Sequence, residues 1–375
     1  MRVIFTCGGT GGHINPAIAV AKVLKEKRPD AEILFVGADD GMETKLVPRE
    51  GFPIETVTIS NYLRSLKPSA IWHNVKAVIT IRKALRRADQ IIRDFKPDVI
   101  VGTGGYASYP MLARGAKHGI PTALHEANAV PGLATKMVCD KVDKILVSFE
   151  ESRGEYKNAD RVIPVGMPVR EEFVFTKRAD ARKALGLGEN DRFLVSAWGS
   201  LGAREMNKKM ADFMKLECEE GRYHHVHATG SFGWRWMPNL MVEKGVDLAS
   251  QSKVKMQEYI YNMPTLMAAA DVFISRAGSS TLNEIAAAGT PCIIVPSPNV
   301  TNNHQEKNAR ILEKRGAAVV IRENDCDGKR LYEAAKKLAE DQEACKQMRE
   351  ALRQIAVIDS AERICRIILD MVKAR

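Results

Sequence analysis

Nine short runs of apolar, β-prone residues recur along this chain, with stretches of helical periodicity between them. That alternation restricts the fold more than any single motif does. The runs are "RVIFT" from residue 2, "EILFVG" from 32, "VIVGT" from 99, "TALHE" from 122 and "KILVSF" from 144, then "FLVSAWG" from 193, "HHVHATG" from 224, "VFISRAG" from 272 and "CIIVPS" from 292. Strands that read as unbroken apolar stretches are buried on both faces, the condition of a parallel sheet covered by its crossover helices. The pattern therefore predicts an α/β fold of doubly wound parallel sheets. Between the two series lies "PVGMPVREEFVFTKRADARKALGLGENDR" (164–192), where two prolines, a turn and a polar helix mark a junction. A chain of 375 residues exceeds the ~250 to 300 at which a single core stops growing. Two such domains are expected, divided into 1–165, 166–350 and a closing amphipathic helix over 351–375.

Several of these strands run into a bare loop: residues 8–12, 102–105 and 199–202, and Gly278 followed by Ser279 and Ser280. A glycine loop lets backbone N–H groups approach an anion, and the helix that follows adds its positive end. In open α/β sheets ligands sit beyond the carboxyl ends of the strands, where these loops lie. No loop carries the Gly-Lys-Ser/Thr of a Walker motif, and the first loop fails the dinucleotide pattern GxGxxG. The second, "GTGGYA", fits GxGxxA, with Glu126 standing about where a ribose-binding acid would. That match keeps an NAD(P)-dependent Rossmann enzyme open as an alternative. In "SRAGSSTLNEIAAAG" (275–289), Glu284 lies one turn into a helix. It reads either as an acceptor for both hydroxyls of a ribose or as the acid of a capping box, Thr281-x-x-Glu284.

Composition excludes several classes. With 45% hydrophobic and 27% charged residues the chain is of ordinary globular make-up. No apolar run approaches the ~18 to 20 residues of a spanning helix, and the first is too short for a secretory signal, so a cytosolic setting is expected. Seven scattered cysteines without a CxxC pair read as reduced thiols. No metal is expected: Asp327 of the one DxD string reads as a helix cap, and only His225 and His227 of "HHVH" share a strand face. The net charge of +10 is local, since residues 56–88 hold seven basic residues and no acidic one. Within that window Ile71, Trp72 and Val75 follow helical spacing beside Lys76 and Arg82, a pattern suited to the interface of an anionic bilayer. No basic stripe interleaved with stacking aromatics appears, so nucleic acid is not an expected partner.

Taken in order, "GGTGGHINPA", "GTGGYASYP", "HEANAVPG", "GMPVR", "GSLGAREMN", "SRAGSSTLNEIAAAG" and "NNHQEKNA" closely resemble one family, from Arg2 to about Ile321. It is the peptidoglycan N-acetylglucosaminyltransferases, which move GlcNAc from UDP-GlcNAc onto undecaprenyl-diphosphate-linked MurNAc pentapeptide. The resemblance implies a GT-B fold, two Rossmann-like domains facing across a cleft, with the acceptor at the first and UDP-GlcNAc at the second. It implies inversion at the anomeric carbon, no required cofactor, and a peripheral position on the cytoplasmic face of the membrane, against the anionic inner leaflet.

Carried over position by position, the catalytic residues are His13 and Glu126, and the acceptor-binding residues Gly11, Gly12, Gly104, Gly105, Tyr106 and His125. The donor-binding residues are Thr10, Asn128, Arg170, Ser200, Asn207, Ile260, Arg276, Ser279, Ser280, Thr281, Glu284 and Gln305. His13 suits a general base by residue type, and Glu126 is its rival. Three positions depart from the family's usual strings: Thr135 and Met167 each stand where Asn is common, and Trp198 replaces the first glycine of GGS. Trp198 either stacks on the base or fills space. Besides the NAD(P) enzyme, a non-catalytic nucleotide-sugar-binding subunit of the same fold is a further alternative.

Overall fold

A computed structural model describes residues 1–59 and 68–374, with the backbone alone for 68–79. The chain forms two compact units, residues 1–169 with 357–375, and residues 170–356. The first contains strands β1 (Arg2–Thr6), β2 (Glu32–Ala38), β3 (Ile54–Val57), β4 (Val99–Gly102), β5 (Thr122–Glu126), β6 (Lys144–Val147) and β7 (Val162–Pro164). All pair in parallel in the order β3-β2-β1-β4-β5-β6-β7. The second contains β8 (Phe193–Ala197), β9 (His224–Ala228), β10 (Val254–Gln257), β11 (Val272–Ser275), β12 (Cys292–Ile294) and β13 (Val319–Val320). These too are parallel, in the order β10-β9-β8-β11-β12-β13. In each sheet the chain winds outward from its first strand, then returns to wind the other way. The reversal leaves a crevice between β1 and β4 in one unit and between β8 and β11 in the other, the usual place for a ligand.

All nine apolar runs became strands. The other four, β3, β7, β10 and β13, are the four sheet edges. An edge strand has one neighbour and partial cover, so β10 alternates buried and exposed residues instead of running apolar.

Alternation along β1 shows how the first core is built. Val3 and Phe5 point to one face, against Ile14, Ala17, Ala21 and Leu24 of the helix Gly11–Lys27. On the same face lie Ile364, Cys365 and Ile368 of the last helix, Ser360–Lys373, which packs on that first helix. Ile4 points the other way, into a cluster with Ala84, Ala88 and Ile91 of the helix Pro68–Phe95 and Met111 and Leu112 of the helix Ser108–Lys117. Each fully buried side chain of this size contributes roughly 1.5 to 3 kcal/mol, so the helix Ser360–Lys373 is bound into the first unit by its apolar face. Gly166 allows the return: a Cβ there would come within 2.4 Å of Val357.

At the opposite end of the second sheet from its glycine loops, Asp271 accepts from Phe193 N–H (2.8 Å) and from Arg178 (2.6 Å). This ties the starts of β8 and β11 together. All seven cysteines are free thiols. Among the described residues no helix is long and apolar enough to cross a membrane. The side chains of Ile71, Trp72, Val75 and Lys76 lie outside the described residues, and Arg82 is exposed on its helix.

Candidate active site

In the first unit the loops after β1 and β4 close on each other. The helix begins at Gly11 with Thr10 as N-cap, and Pro16 sits in its second turn. Gly9 and Thr10 are exposed and His13 is half-buried. The His13 ring lies over Gly104, where a Cβ would come within 2.5 Å of Nδ1. His13 Nδ1 is 3.1 Å from the Thr103 carbonyl. A carbonyl only accepts, so Nδ1 carries the proton and Nε2 is the basic nitrogen. In return the Thr103 hydroxyl donates to the His13 carbonyl at 2.6 Å. Gly105, with φ +81°, approaches the first loop so closely that a Cβ would stand 2.2 Å from Gly8 O. That glycine serves loop-on-loop packing, which accounts for the GxGxxA match without a dinucleotide. Tyr106 is half-buried beside it.

Glu126 ends β5 almost fully buried. Its carboxylate accepts from Asn128 N–H (3.0 Å), Asn128 Nδ2 (3.2 Å), Gly132 N–H (3.1 Å) and the Thr135 hydroxyl (2.6 Å). Four donors occupy it, the complement a carboxylate takes. Thr135 thus keeps a donor where the family commonly has Asn. His125 is buried and its Nε2 donates to Gly166 O at 2.8 Å. Burial pushes its pKa below the usual histidine value, against the hydrogen bond and Glu126.

In the second unit Gly199 and Ser200 are exposed beyond β8. Across the switch point, the helix Ser279–Ala288 starts beyond β11 with Gly278 as N-cap. Thr281 is already its third residue, so Thr281 and Glu284 cannot form the capping box: the hydroxyl must come from the N-cap. The first-turn amides of Ser279, Ser280 and Thr281 lie at the positive end of the helix. Glu284 lies in a recess where burial pushes its carboxyl up to about 7, with Arg170 pulling it down. Arg170 itself is exposed at the head of the helix Glu171–Phe175, its guanidinium 5.0 Å from the Phe173 ring. Gln305 accepts from Ser297 N–H at 2.9 Å, and Ile260 is buried at the end of its loop.

Two donor-side residues are more engaged than their motif implies. Arg276 donates to Val295 O (3.1 Å) and Pro296 O (3.2 Å), pairs with Glu323 (2.6 Å), and lies 6.0 Å from the Trp198 ring. Asn207 is fully buried.

The profile of the glycosyltransferase family 28 N-terminal domain matches residues 3–147, and that of the C-terminal domain residues 195–364. A protein of Thermoanaerobacter sp. (strain X514) is 40% identical over 98% of this chain and 99% of its own length. It is named UDP-N-acetylglucosamine--N-acetylmuramyl-(pentapeptide) pyrophosphoryl-undecaprenol N-acetylglucosamine transferase. This chain belongs to glycosyltransferase family 28. A like-named relative from Bacillus pumilus (strain SAFR-032) is 36% identical over 99% of both chains. The crystal structure of Acinetobacter baumannii MurG superposes with a TM-score of 0.75 at 24% identity, covering 98% of this chain and 99% of that one. At that identity the superposition speaks to the fold, two Rossmann-like parallel-sheet domains of the GT-B kind.

In this family 28 chain the structure decides the role of one motif departure, Trp198, and adds a buried acid, Glu43, that motif reading does not single out. Trp198 is 4% exposed and packs between Arg276 and His227, so it fills space here. Glu43 is fully buried and accepts from Gly9 N–H (3.3 Å) and Ala38 N–H (2.8 Å). A Cβ at Gly8, Gly37 or Gly41 would come within 2.7, 2.3 or 2.2 Å of its side chain. Three glycines crowding one acid was the available signal. The first loop is thus braced by a carboxylate of the protein's own, which opposes a second anion at Gly9. Removing Glu43 takes the acceptor from two N–H groups and leaves a cavity, so Glu43→Ala is expected to cost about 2 to 4 kcal/mol in denaturant unfolding.

Proposed function

We propose that this chain transfers GlcNAc from UDP-GlcNAc to the 4-hydroxyl of MurNAc in undecaprenyl-diphospho-MurNAc-pentapeptide, with inversion, as a step of peptidoglycan synthesis. The observation that carries this reading is identity of 36 to 40% across nearly full length to enzymes named for that transfer. The residues suit it. His13 Nε2, held by the Thr103 contact at Nδ1, takes the proton of the acceptor hydroxyl as its oxygen bonds to the anomeric carbon. The bond from that carbon to the diphosphate breaks, and UDP leaves. Its charge is met by the amides of residues 279–281 and by Arg170. A nucleotide diphosphate is a good leaving group, so the carboxylic acid that glycoside hydrolysis requires has no counterpart here. Glu126, its lone pairs taken, holds the 126–135 loop in shape. Glu284 receives the ribose hydroxyls. Neither a metal ion nor an organic cofactor takes part in these proposed steps.

The test is UDP release from UDP-GlcNAc with and without the lipid-diphosphate acceptor in detergent. Release that depends on acceptor is expected; folded protein that releases none in its presence sinks the reading.

Such an acceptor requires docking on the cytoplasmic leaflet without crossing it. Arg82, Lys83 and Arg86 are exposed along one helix, where each adds attraction to anionic lipid. Polar replacements of Ile71, Trp72 and Val75 are expected to weaken binding to anionic vesicles while UDP-GlcNAc binding persists. Unchanged vesicle affinity would remove that helix from the membrane contact.

A further inference from the structure

Behind the 199–202 loop runs an unbroken chain of buried polar groups that the reaction itself does not use. Glu217 Oε2 lies 2.5 Å from His225 Nδ1. His225 Nε2 and His227 Nδ1 lie 2.8 and 2.7 Å from the same hydroxyl, that of Ser196. His227 Nε2 lies 3.3 Å from Asn207 Oδ1, and Asn207 Nδ2 donates to Thr229 O at 2.8 Å. Ser196, Asn207, His225 and His227 are wholly inaccessible and Glu217 is nearly so.

The last partner orients all the others. Thr229 offers a carbonyl, which only accepts, so the amide nitrogen of Asn207 must face it and the amide oxygen must face His227. His227 Nε2 therefore carries the proton, and its Nδ1 is a lone pair that takes the Ser196 hydroxyl hydrogen. Ser196, having spent its one proton, accepts from His225 Nε2–H. That leaves Nδ1 of His225 against Glu217, where either partner can hold the shared proton. Burial also drives the His227 pKa well below its usual value, in keeping with a neutral ring.

Thr229 in turn shapes the loop beyond β8. Gly202, at φ +79°, lies so close that a Cβ would stand 2.0 Å from Thr229 O. Gly230 packs as tightly on Gly202, with a Cβ 2.1 Å from its nitrogen. Ser231 N–H and Phe232 N–H donate to Ser200 O (3.1 Å) and Leu201 O (3.3 Å). The turn that Asn207 holds is therefore the template on which residues 199–202 lie.

We propose that Glu217, His225, Ser196 and His227 are positioning residues for donor binding, a one-directional hydrogen-bond chain that fixes Asn207 and, through Thr229, the 199–202 loop in its receiving conformation. The proposal rests on the reading of that loop as part of the UDP-sugar site. It makes Asn207 a support for the loop and not a ligand contact.

Heteronuclear NMR of the histidine rings in the full-length wild-type chain tests the direction, with His227 expected as the Nε2–H tautomer. Calorimetry with UDP tests the consequence. Ser196→Ala, which interrupts the chain, and Asn207→Asp, which sets an acceptor against Thr229 O, are each expected to weaken UDP about tenfold, a hydrogen bond's worth. If the alanine variant does not fold, Ser196→Cys, with a weaker donor in nearly the same volume, is expected to bind less tightly. An Nδ1–H tautomer at His227 would overturn the proposal. So would folded Ser196 and Asn207 variants that bind UDP as the wild type does, since a merely structural chain would lower Tm alone. Wild-type protein that bound no UDP would instead sink the functional reading, with the tautomer still judging the chain.

Discussion

Replacing His13 by alanine is expected to lower turnover by about 10²- to 10⁴-fold, the usual contribution of a positioned general base, while UDP-GlcNAc affinity stays within about twofold. The split follows from the geometry. His13 belongs to the first unit, on a helix turn whose carbonyl is gripped by the Thr103 hydroxyl, and its ring is fixed over Gly104. Its Nδ1 is committed to the Thr103 carbonyl, so loss of the ring removes an oriented Nε2 and little of the scaffold. Glu126 cannot substitute readily, because the donors from Asn128, Gly132 and Thr135 would have to be released before it took a proton. Steady-state kcat with saturating acceptor, beside calorimetric donor affinity, measures both halves. An alanine variant with near wild-type kcat, or one that lost donor affinity in proportion, would remove His13 from the role of base.

What could be read in the sequence was whatever is local. The nine interior strands announced themselves because burial on both faces forces an unbroken apolar run; β13, two residues long and half-covered, has no such signature. Asp327 reads as a helix cap and does accept from Arg330 N–H at 2.7 Å, three residues on. The capping box at Thr281 was equally legible and yet is not formed, because the helix had begun at Ser279. The site's supports escaped for the same physical reason. Glu43 and Gly9 are 34 positions apart, and His13 and Thr103 are 90. Motif spacing names the residues that face a ligand, but partners that fix their rotamers come from whichever strand the topology sets alongside. His225 and His227 show both sides. Their shared face was evident from period two, whereas the Ser196 hydroxyl between them depended on β8 pairing with β9.

The second large effect is expected at Glu284, with a pH dependence of definite sign. Its carboxyl holds a proton up to about 7, above the usual 4.5, because burial disfavours the charge more than Arg170 restores it. A raised carboxyl pKa means that the folded chain binds more protons than the unfolded chain between those values. Stability is therefore expected to fall as pH rises from about 4.5 through about 7, and Glu284→Gln, which cannot ionise, should escape that loss. Binding runs the other way. A ribose presents two hydroxyl donors, which a carboxylate accepts better than a carboxylic acid does. UDP-GlcNAc, whose own diphosphate has no proton titrating near neutrality, should bind more tightly as pH rises through about 7 and release a proton when it binds below it. Hydrogen bonds to a charged group are worth about 1.5 to 3 kcal/mol, so Glu284→Gln at pH 8 is expected to weaken the donor roughly 10- to 100-fold and to flatten the pH profile. Calorimetry in buffers of different ionisation enthalpy counts the proton, and thermal unfolding of the same two proteins follows the opposing trend in stability. Affinity that is flat from pH 6 to pH 8 in the wild type, or equal in the variant, would detach Glu284 from the ribose.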